Sequence, residues 1–459
     1  MGRPPRDYPG VVWKPEHRAV ATGHRIDLDR WQAEFDGLLA RIASRFARVE
    51  SRRLARDAVL GLVSDLAVKN CWTLAEHAGH DSPDRLQHLL GKAKWDDDGV
   101  RDELRGYLVD RLGGEDALLV VDETGDVKKG TQTVGVQRQY TGTAGRIENA
   151  QVAVYLTYAT SAGHALIDRK LYLPQSWADD AGRRDAAGVP ADVAFATKPA
   201  LATEMVIRAL DAGVTAGWVA GDEVYGGDPK LRQTLEDRGI GYVLAVACSH
   251  QVHTQVGKIR ADALAASLPR KAWQQVSAGD GSKGPRFYDW AWISIEPEHD
   301  STEVGHSRQR WLLIRRNNTS GELAYYRCWA PNPAPLRDLV RVAGRRWTIE
   351  ESFQASKTLT GLDQHQVRRW TSWHRWTILT MLAYAFLAVV AATERAENPT
   401  RQESSLIALT CNEIKRLFNT FLAEPIRDLR YRLRWSTWRR RHQHRARTSH
   451  YQRRQSLAA

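Results

Sequence analysis

Residues 117–122, ALLVVD, form a short apolar run that ends in an aspartate. Five consecutive apolar residues predict a strand buried on both faces, and we expect it to end at Asp122. Residues 218–222, WVAGD, repeat the pattern and lead into a glycine-rich turn and a helical segment. Because neighbouring strands that end side by side bring their last residues together, Asp122 and Asp222 are expected at one edge of an α/β sheet.

Further strands and helices alternate around these two runs. Strand patterns occur near residues 149–159, 165–172 and 241–246, and helical patterns near 199–212 and 228–237. The acids Glu123 and Glu223 directly follow the two aspartates. Along a strand they would point to the opposite face, which favours the aspartates as the functional pair. Together these segments predict a mixed α/β core.

The regions around this core have other patterns. Apolar residues recur at helical spacing from about 34 to 112, in an arginine-rich segment that suits DNA binding or a scaffold role. Between 250 and 330, short strand-like runs alternate with turn clusters. The predicted boundaries are 1–35 for an N-terminal arm, 36–112 for a helical and DNA-binding domain, 113–249 for the first part of the core, 250–330 for a β-rich insertion, 331–400 for the second part of the core, and 401–459 for a basic C-terminal region.

A third acid lies in the helical segment at residues 345–357, RRWTIEESFQASK. At 100° per residue, Glu350 and Lys357 fall within about 40° of Arg346, on one face of the helix, whereas Glu351 falls roughly 140° away. This geometry favours Glu350 over its neighbour. The same spacing is also typical of a solvated helix with ion pairs four residues apart.

Three carboxylates that converge from distant positions need neutralisation. At 4 Å and an effective dielectric of 20, each pair repels by about 4 kcal/mol. Either the pKa values of the acids rise or cations bind them. Oxygen ligands suit Mg²⁺ or Mn²⁺, and two such ions about 4 Å apart can activate a hydroxyl and stabilise the leaving oxygen of a phosphodiester.

The order of these motifs resembles the DDE transposases of bacterial insertion sequences. Strand-DET, strand-GDxxYG and the helix pattern RWxIEExFxxxK, over roughly residues 117–369, are similar to the IS701-type group of the IS4-like superfamily. The resemblance implies an RNase H-like catalytic core interrupted by a β-rich insertion. It also implies that Asp122, Asp222 and Glu350 form the catalytic, metal-binding triad, with two Mg²⁺ or Mn²⁺ ions.

The resemblance further implies DNA contacts within the signature helix. Arg346 and Lys357 match the Arg and Lys of the Y-R-E-K signature around Glu350, and both are expected to contact DNA phosphates. The signature Tyr should stand at position 343, which is Ala343 in this chain. A contact assigned to that Tyr therefore cannot be transferred.

The implied activity is cleavage of transposon ends followed by strand transfer into target DNA. The expected partners are double-stranded DNA, namely terminal inverted repeats and target, and a second copy of the chain in a homodimer. The expected location is the bacterial cytoplasm, at the nucleoid. Three alternatives stay open: a nuclease or domesticated relative without strand transfer, a non-catalytic DNA-binding protein such as a transposition repressor, and a glycosidase with a carboxylate pair.

The charge of the chain favours a polyanionic partner. Its 459 residues carry a net charge of +12 at pH 7. The stretch 430–454 holds ten arginines and no acid, and a disordered basic tail without specific contacts is the alternative to DNA binding. The DNA-contact candidates outside the signature helix are Lys128 and Lys129, which are equally consistent with solvated loop charges, and Arg439, Arg440 and Arg441.

One uncharged segment, residues 376–393, reaches the lower limit for a membrane span. It is solitary and rich in alanine, and Glu394 and Arg395 follow directly. These features favour a buried core helix, and no membrane partner is expected. The tryptophans at 370, 373 and 376 recur every three residues, a pattern that favours helix packing over base stacking.

Overall fold

A mixed sheet crosses the centre of the molecule. The computed structural model describes residues 26–281, 284–297, 309–397, 408–420 and 429–458. Within these residues the sheet has ten strands in the order β2-β3-β1-β5-β6-β12-β11-β10-β9, with β4 also paired to β3, and β7 and β8 form a separate hairpin. The strands are β1 (Leu118–Val127), β2 (Gln137–Thr141), β3 (Arg146–Ala159), β4 (His164–Leu171), β5 (Trp218–Gly221), β6 (Gly241–Val246), β7 (Gln251–Thr254), β8 (Gly257–Arg260), β9 (Gln274–Gly281), β10 (Gly284–Ser294), β11 (Arg310–Arg316) and β12 (Leu323–Trp329).

Helices cover the sheet and build the N-terminal region. Short 3-10 turns lie at Ala43–Arg45 and Arg270–Ala272. The helices of the described residues are α1 (Leu28–Ile42), α2 (Val49–Val63), α3 (Cys71–Ala78), α4 (Asp84–Gly91), α5 (Asp97–Leu112), α6 (Gln175–Ala178), α7 (Ala181–Ala187), α8 (Lys198–Asp211), α9 (Glu223–Gly226), α10 (Pro229–Asp237), α11 (Ala261–Ala266), α12 (Leu336–Arg345), α13 (Thr348–Thr360), α14 (Trp370–Glu397), α15 (Cys411–Phe418) and α16 (Leu429–Ala458).

The two halves of the sheet have different strand directions. In the first half, β1 is antiparallel to β3 and parallel to β5, and β6 is parallel to β5. In the second half, β12, β11, β10 and β9 follow β6 in antiparallel order. Strands β9 to β12 of the β-rich segment predicted at 250–330 therefore extend the core sheet from β6, whereas β7 and β8 of the same segment form a separate two-stranded sheet.

The predicted N-terminal arm is too long. Helix α1 begins at Leu28, seven residues before the predicted end of the arm at 35, and the side chain of Asp27 caps it by accepting from the backbone N–H of Arg30 at 3.0 Å. Trp31 and Phe35 are buried in the core, which explains the early start. The rest of the predicted arm, residues 1–25, lies outside the described residues.

Helix α14 is the central element of the hydrophobic core. It is long and apolar enough to cross a membrane, but 94% of its most apolar 18-residue window is buried in the protein. It packs against α1, α2, α4, α5, α13, α15 and β4, so it joins the N-terminal helices to the sheet. The prediction of a core helix is confirmed. Trp373 and Trp376 are buried within it, as helix packing requires.

A buried group of charges also joins the N-terminal helices to the sheet. Asp168 on β4 is inaccessible to solvent, and its Oδ2 lies 2.9 Å from Nη2 of Arg208 on α8. Arg101 on α5 lies 3.9 Å from the other carboxylate oxygen. The buried Arg169 next in sequence lies 3.3 Å from Asp97 on α5. Because these charges have left water, each depends on its partners for solvation.

We expect Asp168→Asn to lower the free energy of unfolding by about 3 kcal/mol, because it removes the buried acidic partner of Arg101 and Arg208 and leaves them only partners that are more exposed. Urea unfolding monitored by circular dichroism measures this change. The control is Asp211→Asn, which breaks the exposed pair with Arg238 and should cost no more than about 1 kcal/mol. Equal effects of the two variants would contradict a structural role for the buried pair.

Candidate active site

The parallel pairing of β1 with β5 sets the position of two aspartates. Val121 lies opposite Gly221 at the end of the paired stretch, so Asp122 and Asp222 are the next residues on neighbouring chains. The prediction that β1 ends at Asp122 is wrong. The strand continues to Val127 because β3 pairs with it along its whole length, whereas β5 stops at Gly221. Asp122 therefore lies at the point where the sheet opens on one side of β1.

The chain leaves β5 through a tight turn that fixes Asp222. Oδ1 of Asp222 accepts a hydrogen bond from the backbone N–H of Val224 at 2.9 Å, which caps the short helix α9. At Gly226 an added Cβ would lie 1.8 Å from the carbonyl oxygen of Ala245 on β6. Only glycine allows α9 to approach β6 this closely, and this packing holds Asp222 beside Asp122.

Arg346 connects Asp122 to Glu350. Its guanidinium donates from Nη2 to Oε1 of Glu350 at 3.0 Å, and Nη1 lies 3.6 Å from Oδ2 of Asp122. The predicted continuous helix over 345–357 is broken, since α12 ends at Arg345 and α13 begins at Thr348. Both intervening residues keep αR backbone angles, so the i,i+4 relation of Arg346 and Glu350 survives the break.

The face of β1 that carries Asp122 continues with Thr124 and Asp126, as alternation along a strand requires. Nζ of Lys357 donates to Oγ1 of Thr124 at 2.7 Å and lies 4.0 Å from Asp126. Helix α13 thus lies against this face of β1, with Glu350 at the level of Asp122 and Lys357 at the level of Thr124. The structure thus brings Arg346 and Lys357 to β1, and Arg346 holds Glu350 beside them.

Sequence reasoning missed a polar group at the far end of this face. Nε2 of the buried His365 lies 3.1 Å from Oδ2 of Asp126, and Nζ of Lys128 lies 3.8 Å from it. Burial raises the pKa of Asp126, but the hydrogen bond with His365 and the charges of His365, Lys128 and Lys357 outweigh this effect and lower it. Alternation from Asp122 would have placed Asp126 on this face, but nothing in the sequence pairs it with His365.

Glu123 points to the opposite face of β1, as predicted, yet it belongs to the same electrostatic group. Its carboxylate accepts hydrogen bonds from the hydroxyl of Tyr225 and from Nζ of Lys198, each at 2.6 Å. Tyr225 is fully buried, and its hydroxyl makes a specific bond in addition to packing. The GDxxYG pattern contained this signal, but only the fold shows that the tyrosine reaches Glu123.

The aspartate pair is strained electrostatically. Burial, followed by the negative charges of Asp222 and Glu123, raises the pKa of Asp122 to about 8, although Arg346 opposes the shift. Burial and the charge of Glu123 also raise the pKa of Asp222, and the backbone N–H of Val224 and Arg346 oppose this rise. Ionisation is therefore disfavoured at both carboxyl groups, and a bound cation would relieve this cost.

The donor set at this pair suits a divalent cation. Carboxylate oxygens are the ligands that Mg²⁺ and Mn²⁺ prefer, and a cation would relieve the repulsion that raises the two pKa values. Within the described ranges, no group of three or more His, Cys, Asp or Glu side chains lies close enough to hold a metal ion. Glu350 is bound to Arg346 instead, so it would join the pair only after its side chain changes partner.

The remaining predicted DNA contacts lie in different surroundings. Lys129 is exposed. Lys128 is largely buried, and its Nζ lies 3.3 Å from both Nε2 and the carbonyl oxygen of His365, so the structure gives no support to a DNA contact for it. Arg440 and Arg441 are exposed on α16, whereas Arg439 pairs with Glu76 of α3.

Comparison with known proteins identifies the family. A family model described as DDE superfamily endonuclease matches residues 41–285, and a transposase DDE domain model matches residues 197–386. The chain belongs to the DDE superfamily endonucleases. The DDE family predicted from the motifs is thereby confirmed.

Individual proteins match this chain at low sequence identity. The chain is 28% identical over 211 residues to a probable transposase for insertion sequence element IS701 from Microchaete diplosiphon, a match that covers 46% of this chain and 52% of that protein. The matched region thus spans about half the length of the curated relative. A structure of the piggyBac transposase synaptic complex with hairpin DNA is similar over 90% of this chain and 85% of that chain, with 11% identity and a TM-score of 0.41. At this TM-score the likeness supports no inference about function.

The raised pKa of Asp122 gives stability a specific pH dependence. Between its ordinary pKa of 3.8 and about 8, the folded protein keeps a proton on this carboxyl that the unfolded chain has lost. The free energy of unfolding should therefore fall as pH rises through this window, by about 1.4 kcal/mol for each unit of pKa elevation. Asp122→Asn should remove this fall and be more stable than the wild type at pH 8 in EDTA, with the difference vanishing near pH 4.

Glu351→Gln is the control, because the pKa of Glu351 is shifted in the opposite direction to that of Asp122. The hydrogen bond from His164 lowers the pKa of Glu351, so stability from this group is present at neutral pH and lost as pH falls below the ordinary value. Its variant should be less stable than the wild type at pH 7. Denaturant unfolding at pH 4, 6 and 8 measures both variants, and a pH profile unchanged in Asp122→Asn would contradict the strain at the pair.

Proposed function

We propose that this protein is a DNA transposase that cleaves the ends of a transposable element and joins them to target DNA. The observation that carries the proposal is the convergence of three distant motifs on β1: Asp122 beside Asp222, and Arg346 bound to both Asp122 and Glu350. Membership of the DDE superfamily endonucleases supports the same reaction class. Because the match to the transposase relative covers about half of that protein, the activity of the whole chain is part of the proposal.

The first half of the sheet supports an RNase H-like catalytic core. Three antiparallel strands, β4, β3 and β1, are followed by the parallel strands β5 and β6, and α8 connects β4 to β5. In this arrangement the aspartates come from the first and fourth strands of the core. The glutamate comes from a helix that the chain reaches only after β7 to β12, which accords with a β-rich insertion within the core.

We assign Asp122, Asp222 and Glu350 as the catalytic ligands of two divalent cations, Mg²⁺ or Mn²⁺. When bound, such ions supply Lewis-acid stabilisation to a phosphodiester that undergoes displacement. The raised pKa values of the two aspartates support this assignment, since cations would replace the protons that the pair favours. Arg346 now neutralises Asp122 and Glu350, and it would be free to contact a DNA phosphate once cations take over that charge.

The proposed reaction has two balanced displacements. In the first, water forms a bond to phosphorus at the element end, the P–O3′ bond breaks, and the strand leaves as a 3′-hydroxyl. In the second, that hydroxyl bonds to a target phosphorus and one P–O bond of the target breaks. In each step one P–O bond forms, one P–O bond breaks, and the proton of the attacking water or hydroxyl passes to the leaving oxygen. Arg346 and Lys357 would hold phosphates along the Asp122 face of β1, with Lys129 at its far end and Arg440 and Arg441 on α16 adding DNA contacts.

The proposed partners follow from this chemistry. They are the double-stranded terminal inverted repeats, the target DNA, and a second copy of the chain, because two element ends must be held together. The proposed place of action is the cytoplasm, at the nucleoid.

Glu350→Gln should lose Mg²⁺-dependent nicking of DNA that carries the element ends by at least about 100-fold, which exceeds the loss expected for a group that only orients a metal ligand. Asp122→Asn and Asp222→Asn should behave alike, while all three keep DNA binding in a gel-shift assay. Glu351→Gln is the matched control and should keep nicking within a few fold. Full activity of Glu350→Gln would overturn the triad. If the protein nicks DNA but does not join pre-cut 3′-hydroxyl ends to a target plasmid, its activity is that of a nuclease and not of a transposase.

Cation binding should also be visible without DNA. Saturation with Mn²⁺ at 100 times Kd should stabilise the wild type by about 2.7 kcal/mol, seen as a rise in Tm. At one fixed Mn²⁺ concentration, the rise should grow with pH up to about 8, because bound metal displaces the proton that Asp122 holds. Asp122→Asn and Asp222→Asn should lose the rise, and Glu351→Gln should keep it. The same rise in all four proteins would exclude the aspartate pair as the binding site.

A further inference from the structure

Helix α16 has two chemically different faces. At 100° per residue, Tyr431, Trp435 and Trp438 fall within an arc of about 60° on one side of the helix. A set of arginines that we call the basic face covers an arc of roughly 160°, which begins opposite the aromatic residues at Arg447 and ends about 20° from Trp438 at Arg445: Arg440, Arg441, Arg445 and Arg447, with His444 among them.

The aromatic side docks onto the N-terminal helices. Trp435 is fully buried and its Nε1 donates to the carbonyl oxygen of His80 at 2.9 Å. The hydroxyl of Tyr431 donates to the carbonyl oxygen of Glu76 at 2.6 Å, and Trp438 packs edge-on against Trp72 with ring centroids 4.8 Å apart. Residues 429–458 therefore form an anchored helix, and the alternative of a disordered basic tail does not describe them.

Arginines near the anchor are partly neutralised, whereas the basic face points to solvent. Arg439 lies on the docking side and pairs with Glu76, and Arg434 lies 2.5 Å from Asp81. The four arginines of the basic face are all exposed. A shallow groove of about 400 Å³ is lined by Thr437, Arg440, Arg441, His444 and Arg445. From Arg440 to Arg447 the face extends for roughly 10 Å along the helix axis, at 1.5 Å per residue.

The chemistry of this face selects its occupant. A second copy of the same face would be repelled, because no acid occurs between Arg430 and Arg454, and the basic face offers no apolar side chain to a membrane or a protein. A polyanion with closely spaced charges fits. The helix, about 10–12 Å in diameter, matches the roughly 12 Å width of the DNA major groove, and the wide arc of long side chains suits phosphates on its two walls rather than base edges on its floor.

We propose that the basic face of α16 binds the sugar–phosphate backbone of double-stranded DNA without reading its sequence. The inference rests on the proposed function only in taking DNA as the partner. It assigns to the C-terminal helix a holding surface separate from the carboxylate site, and it excludes Arg439 from the contact.

The test compares two full-length triple variants that lose equal charge. Arg440→Gln, Arg441→Gln and Arg445→Gln remove three charges of the basic face, and Arg238→Gln, Arg260→Gln and Arg270→Gln remove three exposed charges elsewhere. Affinity for a 30-base-pair duplex of random sequence is measured by fluorescence anisotropy in EDTA over a range of NaCl concentrations. Each phosphate contact contributes about 0.9 to the slope of log affinity against log salt, so the basic-face variant should lose about 2.7 from this slope, and the control variant should keep the wild-type slope.

A third variant separates backbone contact from base reading. Arg440→Lys, Arg441→Lys and Arg445→Lys keep the point charges that a phosphate needs and lose the bidentate geometry that a guanine edge needs. This variant should retain the wild-type slope. If it behaves like the glutamine variant, the face reads bases and the proposal fails.

Three other results would also overturn the proposal. The first is an equal slope for the wild type and the basic-face glutamine variant, and the second is a loss of affinity confined to single-stranded DNA. The third is sedimentation without DNA that shows a dimer for the wild type and a monomer for the basic-face glutamine variant. Since the measurement contains no divalent cation, it is independent of cleavage. If the wild type binds DNA through α16 but never nicks it, the proposed enzyme activity is refuted and the DNA-binding face of α16 is retained. If the wild type nicks DNA but does not bind it through α16, the DNA-binding face is refuted and the proposed activity is retained.

Discussion

The repulsion between Asp122 and Asp222 is the constraint around which the site is organised. Parallel pairing ends at Val121 and Gly221, so two half-buried acids follow side by side. Neither can ionise without a cost, and Glu123 behind them adds to it. Arg346 supplies the nearest positive charge, and it is held at the end of α12 by the same break that starts α13. The backbone pairing itself therefore sets the two aspartates beside each other on neighbouring chains.

Much of this site could be predicted because its signals are local. The apolar runs before Asp122 and Asp222 are strands, the strand predicted over 241–246 has the same bounds as β6, and angular spacing placed Arg346, Glu350 and Lys357 together on the side that faces β1. Each of these inferences needs only the period of a helix or strand. The folded protein keeps these periods, because each of them places the apolar residues on the face that becomes buried.

The failures concern partners that the chain brings from far away. The end of β1 could not be predicted, because its last five residues are held by β3 rather than by their own apolar character. Lys128 looked like a loop charge until the fold placed His365 and Asp126 around it. The strands after residue 250 were predicted as a β-rich insertion, but their pairing partner was not predicted: the open edge of β6 pairs with β12, which extends the core sheet. An unpaired strand edge is strongly stabilised by pairing, and periodicity does not say which strand will pair with it.

Helix α14 has one further consequence. This buried helix packs against α1, α2, α4 and α5, against strand β4 of the sheet and against α15. Helix α16 in turn binds the backbone at Glu76 and His80, among the N-terminal helices, through Tyr431 and Trp435. Within the described residues, α16 is therefore connected to the carboxylates through a series of packed helices. The DNA held by the proposed basic face would accordingly meet the carboxylates at a distance that this packing sets.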